Sequence, residues 1–262
     1  MLRDKAKKRL GQHFLINRKI AVRMVNSINP KSGEQVVEIG PGKGALTRFL
    51  LEKGCRLTVV EFDRDMISFL KKKFSGYENL TIIGQDFLKL TVEDLPVKMK
   101  IIGNIPYNIT TAILEKLLEF KDNIPEAVFT VQSEVAQRLT ASAGTRQYGS
   151  FSLIMAAGFD IKTLFHIPPA AFKPSPAVDS TVIKIIPANR QPENFDGFKR
   201  FIRGCFKQKR KTLANSMRLG LNIPKKVSEN LIVSLGKDKN VRPEQLTFDD
   251  YLNLCRLWRD LR

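Results

Sequence analysis

Ile-Ile-Gly-Asn-Ile-Pro-Tyr, at residues 101–107, is the stretch that decides how the rest of the chain is arranged. The apolar residues before Asn104 predict the end of a buried strand, and Pro106 restricts the residue before it to an extended conformation. In an open α/β sheet, ligands bind outside the carboxyl ends of the strands, so Asn104 is expected to face a cleft. Its amide oxygen accepts hydrogen bonds, and Tyr107 adds a flat ring beside that acceptor. The pair suits a planar heterocycle with an exocyclic amino group, such as a flipped adenine or cytosine. The alternative is a plain proline turn with Tyr107 as a half-buried core residue.

The flanking segments alternate between strand and helix patterns. Short apolar runs predict strands at residues 35–39, 57–61, 80–83, 99–103 and 126–131, and β-rich runs follow at 160–167 and 181–186. Amphipathic helices are predicted between the early strands, including residues 63–74 and 110–120. This alternation predicts an α/β fold with a doubly wound, mostly parallel seven-stranded sheet.

The pattern changes after Pro187. Residues 189–194 have the composition of a linker, and apolar residues then recur at helical spacing in 195–209, 211–219, 224–235 and 247–261. We therefore predict a catalytic domain at residues 1–188, including a basic N-terminal arm, and a small all-α C-terminal domain at 189–262.

Composition limits the class of protein. The chain has 262 residues, of which 43% are hydrophobic, and no apolar run approaches the roughly 18 to 20 residues of a membrane span. No secretory signal follows the basic N-terminus, so we expect a cytoplasmic protein without a membrane partner. The cysteines (Cys55, Cys205, Cys255) and histidines (His13, His166) are far apart, which supports neither a disulfide framework nor a zinc site. No metal is expected.

The net charge of +18 is concentrated at the two ends of the chain. Residues 1–30 hold eight Lys/Arg against one Asp, and residues 190–262 hold seventeen against eight acids. The segment between them is nearly neutral, with 19 basic and 17 acidic residues. Clustered cations of this kind favour a nucleic-acid partner over an anionic membrane surface.

A glycine turn and an acidic residue indicate a nucleoside-containing cofactor. Gly40-x-Gly-x-Gly follows the strand at 35–39 and lets a ligand approach the backbone at a helix N-terminus, although it is not the dinucleotide fingerprint. Glu61 ends the next strand, where a carboxylate can accept hydrogen bonds from ribose hydroxyls. Asp86 ends the third strand and could contact an adenine edge. The alternative is that Glu61 and Asp86 merely cap helices. A nicotinamide enzyme ranks lower, because no motif provides a catalytic His or Lys.

Several motifs in order resemble the S-adenosylmethionine-dependent ribosomal RNA adenine dimethyltransferase family. They are Gly-Gln-His-Phe-Leu at 11–15, Glu-Ile-Gly-Pro-Gly at 38–42, Glu61, Asp86, Asn-Ile-Pro-Tyr-Asn-Ile at 104–109, and Phe-x-Pro-x-Pro-x-Val-Asp-Ser at 172–180. The resemblance spans about residues 7 to 262 and implies a Rossmann-like methyltransferase domain followed by the small all-α domain.

The resemblance implies S-adenosylmethionine as the cofactor and assigns its contacts. His13 and Leu15 would contact the methionine end, and Gly40 would form the close-approach turn. Glu61 would bind the ribose and Asp86 the adenine, while Asn104 would contact both cofactor and target. The family usually has Asn at the position of His13, and an imidazole can still donate one hydrogen bond.

Within this family, further segments resemble the small-subunit, housekeeping branch associated with kasugamycin sensitivity. These are Val-Asp-Ser at 178–180, Gln-Lys-Arg-Lys-Thr-Leu at 208–213 and Arg-Pro-Glu-Gln-Leu at 242–246. The resemblance implies dimethylation of two adjacent adenosines near the 3′ end of small-subunit ribosomal RNA, in the subunit or its precursor, during ribosome biogenesis. The alternatives are a large-subunit enzyme of the macrolide-resistance type and a non-enzymatic RNA-binding assembly factor.

Two further roles are expected. Tyr107 and Phe172 would stack on the two faces of the flipped base, unless Phe172 simply packs in its loop. A cationic helix face would contact RNA phosphates through Lys207, Lys209, Arg210 and Lys211, unless it is only a solvated surface.

Overall fold

A computed structural model of the chain describes residues 12–190 and 192–260. The predicted basic arm and Gly11 lie outside these residues. Nine strands are found in the described part: β1 (Phe14–Leu15), β2 (Gln35–Ile39), β3 (Arg56–Val60), β4 (Leu80–Ile83), β5 (Lys100–Asn104), β6 (Ala127–Gln132), β7 (Phe159–Ile167), β8 (Phe172–Lys173) and β9 (Ser180–Pro187). The same residues form ten α-helices: α1 (Arg18–Ile28), α2 (Thr47–Glu52), α3 (Arg64–Lys73), α4 (Thr110–Lys116), α5 (Ser133–Leu139), α6 (Ser150–Gly158), α7 (Phe195–Cys205), α8 (Leu213–Leu221), α9 (Lys225–Ser234) and α10 (Phe248–Arg259).

Seven of these strands form one sheet in the order β4-β3-β2-β5-β6-β9-β7. Strands β2 to β6 pair in parallel, and β9 runs antiparallel to β6. The predicted mostly parallel seven-stranded sheet is therefore confirmed. Strand order reverses at β2, which has β3 on one side and β5 on the other. The carboxyl ends of β2 and β5 thus flank a topological switch point, where open α/β sheets bind their ligands.

The central strands are held from both faces. Val36, Val37, Ile101 and Ile102 are fully buried, as expected of parallel strands covered by helices on both sides. At the opposite end of the sheet, the Lys100 ammonium lies 3.0 Å from a carboxylate oxygen of Glu34 and 3.1 Å from one of Glu126. These contacts anchor the strand that ends in Asn104.

The chain divides into two compact units. The first extends to Ala136 and includes Asp160–Pro187; the second contains Gln137–Phe159 and the chain from Ala188 onward. Residues 137–159, which the sequence assigned to the first domain, thus belong to the second unit, because helix α6 packs against α7. Whether residues 1–188 and 189–262 are autonomous domains stays a prediction.

Several elements differ from the sequence prediction. Helix α7 ends at Cys205 instead of continuing to Lys209, and residues 206–211 form turns. Helices α5 and α6 were not predicted. In the described residues, no helix has the length and apolar character needed to cross a bilayer, and no group of three or more metal-binding side chains comes together.

Candidate active site

The glycine turn after β2 has a backbone that other residues rarely adopt. Gly40, Gly42 and Gly44 have φ angles of +65°, +53° and +75°, in the left-handed region that favours glycine. A Cβ atom at Gly42 would lie 2.9 Å from the Phe14 ring. The turn therefore keeps bare main chain at the switch point, where a ligand can approach it closely.

Glu61 connects this turn to the end of β3. Its Oε1 accepts hydrogen bonds from the Phe62 and Asp63 N–H groups at 2.9 and 2.8 Å, and its Oε2 accepts one from the Gly42 N–H at 3.2 Å. Burial raises the pKa of Glu61, although these backbone donors oppose the rise. The carboxylate thus caps the chain entering α3, as the alternative reading expected, and also lines the cleft beside Gly40.

Glu38 is a second carboxyl group in the cleft, and its role was not predicted from the sequence. It is 1% exposed on β2, and its Oε2 accepts a hydrogen bond from the Thr47 hydroxyl at 2.6 Å. Burial raises its pKa to about 8. A charged residue within the apolar run at 35–39 was the signal that could have identified it.

Asn104 is oriented by the main chain of a distant segment. Its Nδ2 donates a hydrogen bond to the His13 carbonyl at 2.9 Å, which fixes the amine end of the amide. The Oδ1 atom therefore points away from that carbonyl, and Asn104 lines the cleft together with Ile105 and Tyr107. The side chain is half-buried at the end of β5, as predicted.

Tyr107 is held at its hydroxyl and on one face. Its hydroxyl lies 2.5 Å from the hydroxyl oxygen of Ser180, and its ring stacks on the imidazole of His13 with centroids 5.3 Å apart and an interplanar angle of 28°. Burial raises the pKa of Tyr107, while the Ser180 hydroxyl opposes this rise. The ring is half-buried and lines the same cleft as Asn104.

His13 and Leu15 both line this cleft, and their contact with a cofactor stays a prediction. The imidazole Nδ1 donates a hydrogen bond to the Pro174 carbonyl at 2.8 Å, so this ring N–H is used within the protein. Leu15 is buried in β1, which pairs with β8 through Leu15 and Phe172.

Phe172 is buried beside the cleft. Its side chain is 3% exposed and packs in the hydrophobic core of the first unit with Leu15 and Ala171. In this arrangement little of its surface is available to a base, so stacking by Phe172 stays a prediction. The alternative of ordinary packing is the one that the geometry favours.

Asp86 lies farther along the sheet edge. Its Oδ1 accepts a hydrogen bond from the Leu88 N–H at 3.0 Å and caps a 3₁₀ turn, yet the residue also lines a cavity with Glu61. The Phe62 side chain on this cavity is 64% exposed. Sequence reasoning missed it, although a large aromatic residue directly after a strand-end acid was a usable signal.

Two cavities meet at the sheet edge. The first is lined by His13, Glu38, Asn104 and Tyr107, and the second by Phe62 and Asp86. They share Gln12, Gly40, Glu61 and Pro106. Together they form one cleft lined by the carboxyl groups of Glu38, Glu61 and Asp86 and by the rings of Tyr107 and Phe62. These acceptors and aromatic rings fit a nucleoside attached to a cationic amino-acid tail.

The predicted RNA-binding residues lie in the second unit. Lys207, Arg210 and Lys211 are exposed, whereas Lys209 is half-buried. The Lys209 ammonium donates hydrogen bonds to the carbonyls of Arg146 and Tyr148, both at 2.6 Å. Lys209 therefore anchors the loop at 145–149, and the other three cations present the exposed charge.

Comparison with known proteins gives consistent matches. A family model described as "Ribosomal RNA adenine dimethylase" matches residues 3–258. A protein named "Ribosomal RNA small subunit methyltransferase A" from Alcanivorax borkumensis is 38% identical over 265 residues, covering 99% of this chain and 92% of that protein. The protein of the same name from Chlorobaculum tepidum is 43% identical over 216 residues, covering 81% and 78%.

Solved structures agree. A dimethyladenosine transferase from Plasmodium falciparum has a TM-score of 0.82 at 28% identity, covering 95% of this chain and 98% of that one. The 23S rRNA methyltransferase ErmE has a TM-score of 0.70 at 24% identity, covering 93% and 98%, and so shares the fold.

Proposed function

Because the chain belongs to the ribosomal RNA adenine dimethylase family, we propose that it uses S-adenosylmethionine to dimethylate two adjacent adenosines near the 3′ end of small-subunit ribosomal RNA. The chain is an rRNA adenine dimethyltransferase, and its relatives at 38–43% identity carry the small-subunit name. The large-subunit alternative is not favoured, since the likeness to ErmE extends only to the fold. We further propose a cytoplasmic location, as part of ribosome biogenesis.

One observation carries the proposal. The Asn104 amide is fixed by the His13 carbonyl at the switch point, with its oxygen turned away from that carbonyl and Tyr107 beside it. An acceptor and an aromatic face together are what a planar exocyclic amine requires.

The cofactor would lie along the joined cavities. Glu61 would accept hydrogen bonds from the ribose hydroxyls, and Asp86 with Phe62 would bound the adenine. Leu15, Gly40 and Glu38 would surround the amino-acid tail. S-adenosylmethionine, when bound, supplies an electrophilic methyl group on a sulfonium.

The chain's own residues would then activate the target amine by position. The adenine N6 lone pair is delocalised into the ring, so the amine is a weak nucleophile. If Asn104 Oδ1 and the Ile105 carbonyl accept its two N–H bonds, the positive charge that develops on nitrogen is stabilised and the lone pair is aimed at the methyl donor. No general base is obligatory, because the proton can leave after transfer. For the second methylation, one N–H bond remains for these acceptors.

A transfer assay tests the proposed function. The protein is incubated with radiolabelled S-adenosylmethionine and either small or large ribosomal particles that lack the modification, and the labelled nucleotides are mapped. We expect label at N6 of two neighbouring adenosines in the small particle only. Label in the large particle would instead support the macrolide-resistance type, and particle binding without label would support an assembly factor.

A further inference from the structure

Ser180 is a buried polar residue next to the active site for which the reaction so far has no use. Its side chain is 0% exposed at the start of β9, and its hydroxyl oxygen lies 2.5 Å from that of Tyr107, 73 positions away in sequence. A buried hydroxyl without a partner is costly, so both groups gain from this bond. The contact joins the Asn-Ile-Pro-Tyr turn to a strand of the antiparallel end of the sheet.

The position of Ser180 is fixed by the sheet. Ser180 pairs with Gln132 of β6, and β6 pairs with β5 through Thr130 and Asn104. The Asp179 carbonyl before it accepts a hydrogen bond from the Ser133 N–H at 3.0 Å. The Ser180 hydroxyl is therefore held rigidly, because the strands that carry Ser180 and Asn104 both pair with β6.

We propose that Ser180 is a positioning residue for methyl transfer: its hydroxyl ties down the Tyr107 phenol, so that the ring is held at a fixed angle beside Asn104. This inference rests on the proposed function. His13 already covers one face of the ring, so the Ser180 bond leaves the opposite face as the stacking surface for the target base. A fixed ring stacks a base without first losing rotational freedom.

The neighbouring residue provides a matched control. Thr181 is also 0% exposed on β9, but its hydroxyl lies 2.8 Å from that of Ser133 and 2.9 Å from His166 Nδ1. Because successive side chains of a strand point to opposite faces, Thr181 turns away from Tyr107. Thr181→Val removes a buried hydroxyl from the same strand without touching the proposed anchor.

The kinetic experiment compares Ser180→Ala, Tyr107→Phe, the double variant and Thr181→Val with small ribosomal particles. We expect Ser180→Ala and Tyr107→Phe each to slow single-turnover methyl transfer roughly tenfold, with cofactor affinity unchanged. Both variants break the same bond, so the double variant should be no slower than the slower single variant. Thr181→Val should transfer at the wild-type rate. An unchanged rate in Ser180→Ala, additive losses, or an equal loss in Thr181→Val would each overturn the proposal.

A spectroscopic experiment needs neither cofactor nor RNA. The chain has four tyrosines, so ¹³Cζ-tyrosine labelling gives a simple NMR spectrum. Loss of the Ser180 hydroxyl should move the Tyr107 titration to higher pH, because that hydroxyl stabilises the phenolate; Thr181→Val should leave it unchanged. An unmoved Tyr107 titration in Ser180→Ala refutes the anchor. A wild-type protein that transfers no methyl group refutes the proposed function and leaves this result standing.

Discussion

The side-chain amide of Asn104 is oriented by one hydrogen bond to the main chain. Any asparagine at this strand end could rotate and present either end of its amide. The His13 carbonyl accepts from Nδ2 and removes that freedom before any ligand binds. Because the Asn104 amide is oriented before the substrate binds, the reaction does not have to include the entropic cost of orienting it.

Replacing Asn104 with Ala should reduce methyl transfer roughly 100-fold or more, the order of loss when one preorganised polar group is removed from a transition state. The residue is half-buried at the end of β5, so the fold should persist. Single-turnover transfer, with circular dichroism as the control for folding, tests this. Substantial activity in the variant would remove Asn104 from its catalytic role.

Glu38 should make stability depend on pH. Burial raises its pKa from 4.5 to about 8, although the Thr47 hydroxyl opposes the rise. Between these values the folded protein keeps a proton that the unfolded chain releases, so stability should fall as pH rises, by at most about 1.4 kcal/mol per pH unit. Glu38→Gln should flatten this part of the profile.

Urea unfolding of wild type and Glu38→Gln at pH 5, 6, 7 and 8 measures the difference. The advantage of wild type over the variant should shrink steadily with pH. Glu78→Gln, which changes an exposed carboxylate, should leave the profile unchanged. Parallel profiles for wild type and Glu38→Gln would contradict a protonated Glu38.

Among single residues, those located at the carboxyl ends of predicted strands could be identified from the sequence. Gly40, Glu61 and Asn104 come together because parallel strands present their carboxyl ends at one edge. The contacts of Phe172 and Lys209 could not be predicted in this way. Phe172 pairs with a two-residue strand far away in sequence, and Lys209 donates to the backbone of a loop about 60 residues earlier. Periodicity carries no information on such contacts.

At the scale of elements, α7 and α8 meet through glycine. A Cβ at Gly220 of α8 would collide with the backbone of Gly204 in α7, and a Cβ at Gly204 would collide with the Leu221 side chain. The two helices therefore pack more closely than residues with larger side chains would allow.

Gly220→Ala should destabilise the second unit by about 1–3 kcal/mol, despite the better helix propensity of alanine. Gly204→Ala should cost less, because a flexible leucine can move. The only tryptophan, Trp258, lies 5.0 Å from Phe201 between ring centroids, so its fluorescence reports unfolding of this unit.

Gly76→Ala is the matched control, since an added Cβ there meets nothing within 4 Å. Its unfolding midpoint should match wild type. A Gly220→Ala midpoint equal to that of the control would show that the helices can separate without loss.

Helix α6 shows why some helices could not be predicted from the sequence. Its sequence Ser-Phe-Ser-Leu-Ile-Met-Ala-Ala-Gly is buried at seven of nine positions. A helix that is apolar on nearly every side has no polar face, so it produces no helical period in the sequence. Amphipathic helices such as α3 and α4 were predicted because each keeps one polar, solvent-exposed face.

At the scale of the whole molecule, the net positive charge predicts a polyanionic partner. The chain carries +18, and the exposed Lys207, Arg210 and Lys211 lie in the second unit. Phosphate contacts contribute affinity that falls steeply with salt and carries little sequence information.

Changing Lys207, Arg210 and Lys211 together to Gln should weaken binding to small ribosomal particles and reduce the slope of log affinity against log salt by about two to three. Cofactor affinity should stay unchanged, because the cleft lies wholly in the first unit. Particle binding at several salt concentrations, with calorimetry for the cofactor, measures both.

The control triple Lys53, Lys71 and Lys72 to Gln removes the same charge from exposed positions of the first unit. It should bind particles nearly as wild type does. If both triples lose affinity equally, net charge alone would explain binding, and the assignment to the second unit would fail.

The hydrogen bond between Asn104 and residue 13 has an evolutionary consequence. The acceptor is a main-chain oxygen, and every amino acid has one. A substitution at position 13 can therefore change the side chain without removing the acceptor that orients the Asn104 amide. The orientation of the Asn104 amide depends on the path of the main chain at residue 13. The side chain of residue 13 can therefore make other contacts.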